Sequence, residues 1–369
     1  MADRPADGVV VGVFGAAGFT GGEVCRLLLG HPEVGTILPT SRGGESFARL
    51  HRNLAGCGLE ISTPEALLDR AAELDYAFLC TPSGEAMRLV PDLLEAGARV
   101  ADLSADFRFA DPGEYQRAYG AEHVCPEFLS EAACGITELH RRQIAAARLV
   151  ANPGCFVIAA ALALAPLLRQ SLVALDSPIQ IAGLNGTSGA GSSPRPEVMH
   201  ARAFGSVLPY SMEGHRHSAE LEARLGEIAE RPVVTSIATA HGSFARGIYV
   251  NASLVPSAAW DEPPNREALT DLYLDSYGQG HDGEHFVLVN DLARRGELNA
   301  KEYDLYPQVG SVTGSNFCHL GLDFDPERQL VKAMAAIDNL GKGAAGSAVQ
   351  NMNLMLGFEE TAGLGHYGI

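Results

Sequence analysis

The chain is short of positive charge and has no paired-cysteine motif. Its 369 residues carry 27 Lys and Arg against 45 Asp and Glu, a formal net charge of −18. A surface so acidic disfavours nonspecific binding to nucleic acid or to anionic membranes, leaving room only for local basic pockets. No run approaches the roughly 18 apolar residues of a membrane span. Met1 to Gly8 is polar and acidic, without the apolar core of a signal peptide, so a cytoplasmic location is expected. The seven cysteines, at positions 25, 57, 80, 125, 134, 155 and 318, are odd in number and show no CxxC spacing. That pattern excludes a disulfide framework and a zinc cluster as the expected reading. There is no internal repeat and no low-complexity tract.

What remains is a large apolar fraction, 46%, with 20% charged residues, the profile of a globular protein with a sizeable core. The chain exceeds the roughly 250 to 300 residues at which single cores stop growing, so two domains are expected.

The apolar run Gly8 to Phe14, rich in β-branched residues, reads as a buried parallel strand, and a helix is expected from Gly21 to Leu29. Between them Gly15-Ala16-Ala17-Gly18-Phe19-Thr20-Gly21 is a G-x-x-G-x-x-G variant of the dinucleotide fingerprint. Its glycines allow a tight turn and close approach of a pyrophosphate to the helix start. A second strand ends near Ile37-Leu38-Pro39, followed by Thr40-Ser41-Arg42 with no acid. An acid there serves the ribose 2′-OH of NAD, whereas an arginine accommodates a 2′-phosphate, so NADP is favoured over NAD. A solvated loop arginine is the alternative for Arg42.

Runs at Tyr76 to Cys80, Arg99 to Leu103 and Leu149 to Ala151 continue the strand–helix alternation, with a helix expected around Pro91 to Ala96. Thr81-Pro82-Ser83-Gly84 then lies at a strand's carboxyl end, where open α/β sheets bind ligands, and is assigned to the cofactor pocket. Strands at Pro178 to Leu184, Val233 to Thr239 and Gly247 to Leu254 read as a second, α+β domain.

Asn152-Pro153-Gly154-Cys155 precedes the apolar run Phe156 to Leu168, putting Cys155 in the first turn of a buried helix. Unpaired amides and the helix dipole favour a thiolate at that place, although a small core residue is the commoner fate of a free cysteine. Gly186 to Ser193, followed by Pro194-Arg195, is rich in glycine and hydroxyls and could cradle phosphate or serve as a plain surface linker. In Gly214-His215-Arg216-His217-Ser218-Ala219-Glu220, His217 and Glu220 share a face of a helix start. A carboxylate there can fix a histidine for acid–base work; a solvated helix entry is the alternative. Metal binding is not expected, because no third ligand accompanies His215 and His217. Thiol, histidine–carboxylate pair and NADP loop together suit reduction of an acyl phosphate through a thioester.

At these residues the chain resembles the N-acetyl-γ-glutamyl-phosphate reductase family of arginine biosynthesis, related to aspartate-semialdehyde dehydrogenase. The resemblance rests on five ordered motifs: Gly15 to Gly22, Asp102 to Arg108, Asn152 to Cys155, Gly214 to His217 with Glu220, and Ala336 to Gly343. It implies an α/β protein, a Rossmann-type doubly wound sheet with a second α+β catalytic and dimerisation domain. The implied division is 1–154, completed by a C-terminal helix at about 336–369, and 155–335. Cys155 would be the acyl-forming nucleophile, His217 the acid–base and Glu220 its orienter. Asn152, Arg108, Ser188, His215 and Arg216 would lie near substrate. The glycine loop with Phe19 and Thr20, then Ser41, Arg42, Thr81, Ser83, Ser188, Gly189, Asn339 and Lys342, would surround NADP(H). A homodimer or tetramer is implied.

A sister branch reduces acyl phosphates of glutamate or 2-aminoadipate borne by a small acidic amino-group carrier protein, in lysine-type pathways. His51-Arg52-Asn53-Leu54, the segment Ser192 to Tyr210 and Ala219 resemble that branch, whereas Pro153-Gly154-Cys155 resembles the N-acetyl branch, which is placed first. Phe156-Val157-Ile158 and Thr137 depart from the family pattern. An NADP-binding redox sensor without catalysis is the rival from another class.

Overall fold

The structure is a computed structural model and describes residues 8–278, 283–297 and 300–368. It divides into two compact units. One is the chain up to Gly154 together with Ala344–Gly365; the other is Cys155–Gly343 together with the last residues from His366.

In the first unit, β1 (Val9–Phe14), β2 (Val34–Pro39), β3 (Tyr76–Leu79), β4 (Arg99–Asp102), β5 (Ala133–Cys134) and β6 (Leu149–Ala151) form one six-stranded sheet in the order β2-β1-β3-β4-β6-β5. Every pairing is parallel. Burial on both faces explains the continuous apolar runs: all of Tyr76–Leu79 is inaccessible. Because β2 lies on one side of β1 and β3 on the other, the strand order reverses at β1 and β3, the place where such sheets bind ligands.

The helix Gly346–Leu356 returns to this unit and packs on the helices Phe19–Leu28 and Thr137–Ala146. Its buried amides are matched: Asn353 Nδ2 donates to the carbonyls of Glu360 and Ala362 at 3.0 and 2.9 Å, and Asn351 Nδ2 to that of Gly135 at 3.1 Å. The returning segment begins at Ala344 rather than near 336, because Leu330–Ile337 is a strand of the other unit's sheet.

The second unit is built on a seven-stranded mixed sheet of β7 (Ile179–Asn185), β8 (Leu208–Tyr210), β9 (Thr235–His241), β10 (Ile248–Leu254), β11 (Val287–Val289), β12 (Cys318–Asp325) and β13 (Leu330–Ile337), in the order β11-β12-β13-β10-β7-β9-β8. Strict alternation of buried and accessible residues along β10 shows one covered face. The helix Cys155–Arg169 covers it, packing on β10, β13 and the helices His217–Ala229 and Arg266–Tyr277. It is apolar all round, with Phe156 to Leu168 wholly buried. Pro166 lies inside it and cannot donate to the Leu162 carbonyl four residues back. The Tyr277 hydroxyl donates to that carbonyl instead, at 2.6 Å.

Candidate active site

Three strand ends of the first unit converge on the glycine loop. Gly15 follows β1 at φ +80°, and a β-carbon there would lie 2.4 Å from the Cys80 carbonyl oxygen at the end of β3. The Ala16 N–H donates to the Thr40 carbonyl just after β2 at 2.9 Å. Gly21 permits the helix to sit against the loop, its absent β-carbon falling 2.5 Å from the Gly15 carbonyl oxygen.

The helix Phe19–Leu28 begins at Gly18 with no side-chain cap and no acid in its first turn, which leaves its positive end to an anion. Buried Thr40 Oγ1 and Thr81 Oγ1 find no hydrogen-bond partner among the described residues. This cradle fits the pyrophosphate of a dinucleotide. His51 braces it: its Nε2 lies 2.6 Å from the Ala16 carbonyl oxygen, and its ring fills the space where a side chain at Gly22 would be.

Ser41 is buried and its hydroxyl accepts from the Gly43 N–H at 3.2 Å, while Arg42 is exposed and pairs with Glu85 at 2.6 Å. Ser83 is exposed on the following loop. The wholly buried Asp106 carboxylate holds that loop, accepting from the N–H groups of Gly84 at 2.7 and 2.9 Å and Met87 at 3.2 Å. Nearby Asp102 is wholly buried too. Burial, and then the Asp106 charge, push its carboxyl up to about 7 against the bonds from Ser104.

Arg108 and Asn152 make hydrogen bonds within the first unit. Arg108 donates to the main-chain carbonyls of Asn152 and Leu103, both at 3.1 Å. The Asn152 side chain is 1% exposed and bonds Ser347 and Asn351 on the returning helix. Both residues fix the backbone leading to Cys155.

Cys155 opens the second unit's central helix and is partly accessible. His217 opens the neighbouring helix His217–Ala229, which packs on the first. Phe156 joins the two starts, its ring centroid 5.6 Å from that of His215 and 6.3 Å from that of His217. His215 Nδ1 accepts the His217 main-chain N–H at 3.1 Å, and burial, aided by Arg216, depresses the His215 imidazole to about 4. His215 is therefore neutral at physiological pH, with its proton on Nε2. Glu220 is 1% exposed on the same helix face as His217, one turn on, and Arg216 is exposed. The Gly343 backbone closes against the cysteine, for a β-carbon there would lie 2.9 Å from that of Cys155.

The remaining expected cofactor residues belong to this second unit. Ser188 Oγ accepts from Asn339 Nδ2 at 3.0 Å, and Asn339 Oδ1 accepts the Gly247 N–H at 2.7 Å. Gly189 packs where a side chain would strike the Asn185 amide. Lys342 is 1% exposed, its Nζ 5.7 Å from the Phe286 ring centroid.

Residues 10–147 match the semialdehyde dehydrogenase NAD binding domain and residues 155–339 the semialdehyde dehydrogenase dimerisation domain. The chain belongs to the semialdehyde dehydrogenase family. It is an oxidoreductase fold with a nicotinamide cofactor domain. The chain is 41% identical over 362 residues to a protein of Methanopyrus kandleri named N-acetyl-γ-glutamyl-phosphate reductase, covering 96% of this chain and 98% of that protein. It is 39% identical to a protein of Thermomicrobium roseum named as a reductase of LysW-linked L-2-aminoadipate 6-phosphate, covering 98% of this chain and 99% of the other. Among solved structures, aspartate semialdehyde dehydrogenase II of Vibrio cholerae superposes with a TM-score of 0.69 at 17% identity, covering 95% of this chain and 98% of that one, and so shares the fold.

Asn185 and His241 carry no motif in the sequence, and Thr239 and Tyr210 stand there only as the ends of segments. Strand pairing gathers them: Asn185 stands opposite His241, and Tyr210 opposite Thr239. The Tyr210 ring stacks on His241 at 4.5 Å between centroids and 16° between planes. Burial, and then nearby Cys155, push its phenol up to about 12. No local signal marks these positions, because their meeting depends on sheet register. Among the described residues no helix is long and apolar enough to cross a membrane.

Proposed function

We propose that this chain reduces N-acetyl-γ-glutamyl phosphate to the corresponding semialdehyde with NADPH, as a step of arginine biosynthesis in the cytoplasm. The observation that carries the reading is the pairing of helix starts: Cys155 and His217 open two helices that pack on each other, with Phe156, His215 and His217 in ring contact. The Methanopyrus relative's name supports the substrate.

In this reading the Cys155 thiolate, favoured by the helix dipole, attacks the acyl carbon; the bond to phosphate breaks and inorganic phosphate leaves. His217, oriented by Glu220, donates a proton to the leaving oxygen, regains one from water and then gives it to the alkoxide oxygen left by hydride addition. NADPH supplies the hydride that the thioester carbon accepts. His217 then takes the hydroxyl proton back as the C–S bond breaks, releasing the aldehyde and returning the thiolate. Gly15, Gly18, Phe19, Thr20, Gly21, Thr81 and Ser83 would hold the pyrophosphate and nicotinamide side, and Ser41 with Arg42 the 2′-phosphate. Ser188, Gly189, Asn339 and Lys342 would complete the cofactor contacts. Arg108 and Asn152 would position the cysteine turn, and His215 and Arg216 would meet substrate. The matched dimerisation domain supports a homodimer or a tetramer.

The second reading is the same chemistry on a glutamyl or 2-aminoadipyl phosphate borne by an acidic carrier protein. It is favoured by the exposed basic residues Arg195, His200, Arg202 and Arg216 on an otherwise acidic chain, and by the name of the Thermomicrobium relative. A side-by-side assay of phosphate-dependent NADP reduction by N-acetylglutamate semialdehyde and by carrier-linked aminoadipate semialdehyde decides. Activity with only the second overturns the first reading.

A further inference from the structure

The inner face of the second unit's sheet carries two buried acceptors with nothing to accept. Asn185 is 3% exposed and His241 7% exposed, yet Asn185 Oδ1 and His241 Nδ1 find no hydrogen-bond partner among the described residues. Leaving such atoms unmatched is costly, so a pair of them at one place points to a ligand. They are at one place: β7 and β9 run parallel with Asn185 opposite His241.

The tautomer follows from the surroundings. Burial, aided by Arg195 and opposed by the Gly186 main chain, keeps the His241 imidazole below its usual range, so it is neutral. Nδ1 is the nitrogen without a partner, and in the tautomer that carries its proton on Nε2 it is a lone-pair acceptor. The Tyr210 ring stacks on His241, and the unpartnered Asn185 Oδ1 accepts by its chemistry. A site of two acceptors takes a donor.

Its position ties it to Cys155. Gly183, two residues before Asn185 on the same face of β7, lies against Phe156, the residue after the cysteine: a β-carbon at Gly183 would fall 2.5 Å from that ring. Tyr210 lies near enough to Cys155 for the cysteine to raise its phenol. The electrostatics restrict the donor. Arg195 acts on His241, and Arg216 acts on Tyr210 and His215, which makes the neighbourhood cationic and hostile to an ammonium group.

We infer that Asn185 Oδ1 and His241 Nδ1 form a substrate subsite that accepts a neutral amide N–H, the blocked α-nitrogen of the acyl phosphate that Cys155 attacks. This rests on the proposed reaction and deepens it: the amide N–H common to both proposed substrates is what the enzyme recognises, and a free amine is refused.

The test replaces the N–H by an oxygen. N-acetylglutamate semialdehyde and its ester analogue 2-acetoxy-5-oxopentanoate are compared as substrates in phosphate-dependent NADP reduction, with wild-type enzyme, Asn185→Leu and His241→Phe. The wild type is expected to favour the amide by roughly tenfold or more in kcat/KM, the cost of leaving buried acceptors unmatched. Both variants are expected to bring the ratio towards one, chiefly by raising KM for the amide. A merely structural loss in either variant would lower both rates and leave the ratio unchanged, which overturns the inference. Equal use of amide and ester by the wild type overturns the inference alone. Carrier-linked 2-aminoadipate semialdehyde is assayed beside them, and no turnover of any of the three overturns the reading of the reaction and the inference with it.

Discussion

His215 Nδ1 accepts the main-chain N–H of His217 at 3.1 Å, so one histidine holds the start of the helix on which the other stands. That bond requires a neutral His215, and burial depresses its imidazole from 6.5 to about 4. Between those values the unfolded chain binds a proton that the native chain does not, so native stability falls as pH drops from about 7 towards 4 and is flat above. The loss is on the order of 3 kcal/mol at the acid end. Urea unfolding at pH 7.5 and pH 5 measures it. His215→Phe is expected to be less stable at pH 7.5 but to show a shallower fall; an unchanged pH slope would contradict the assignment.

Gly343 meets Cys155 without room for a side chain. Gly343→Ala is expected to displace the cysteine and lower kcat by roughly tenfold to a hundredfold, in line with the sensitivity of catalysis to misplacement near 1 Å. KM for NADPH, measured in the same assay, is expected to change little. Full activity in the variant would show that the contact relaxes without moving the thiol.

Arg42 follows β2, where the chain has no acid, and is paired with Glu85 at 2.6 Å. If its guanidinium receives the 2′-phosphate, Arg42→Ala lowers the preference for NADPH over NADH by on the order of tenfold, the worth of one charge-assisted bond. Steady-state kinetics with both cofactors read this, and an unchanged ratio removes Arg42 from the cofactor site.

Tyr277 serves the Leu162 carbonyl that Pro166 leaves without its helical donor. Tyr277→Phe is expected to cost about 1 to 2 kcal/mol in urea unfolding, because a buried carbonyl is left unmatched. The same change in a Pro166→Ala background is expected to cost less, since residue 166 then regains an N–H. Additive costs in this double-mutant cycle would contradict the assignment.

Much of this architecture was legible locally. The run before Gly15 and the glycine spacing after it mark β1 and the helix that follows, which begins at Phe19, two residues before the expected Gly21, and Asn152-Pro153-Gly154 marks the entry to the helix that begins at Cys155. These signals lie within a few residues of what they specify. The illegible parts join distant segments. Asn152 is bonded to Ser347 and Asn351 nearly 200 positions away, and nothing near Asn152 announces it. Asn185 and His241 meet only through the register of β7 and β9. The helix expected around Pro91 begins earlier, at Ala86, because apolar packing of Ala86, Met87 and Val90 carries it through the proline. Ala336-Ile337 ends a strand whose partners, β10 and β12, lie far away in sequence.

The central claim is that Cys155 carries the acyl group. Intact-protein mass measurement after mixing the enzyme with N-acetyl-γ-glutamyl phosphate, with no reductant present, tests it most directly. The expected result is one N-acetylglutamyl adduct, mapped by peptide digestion to Cys155, absent in Cys155→Ser and discharged to aldehyde when NADPH is added. An adduct that persists in Cys155→Ser, or steady turnover by that variant at the wild-type rate, would contradict the account.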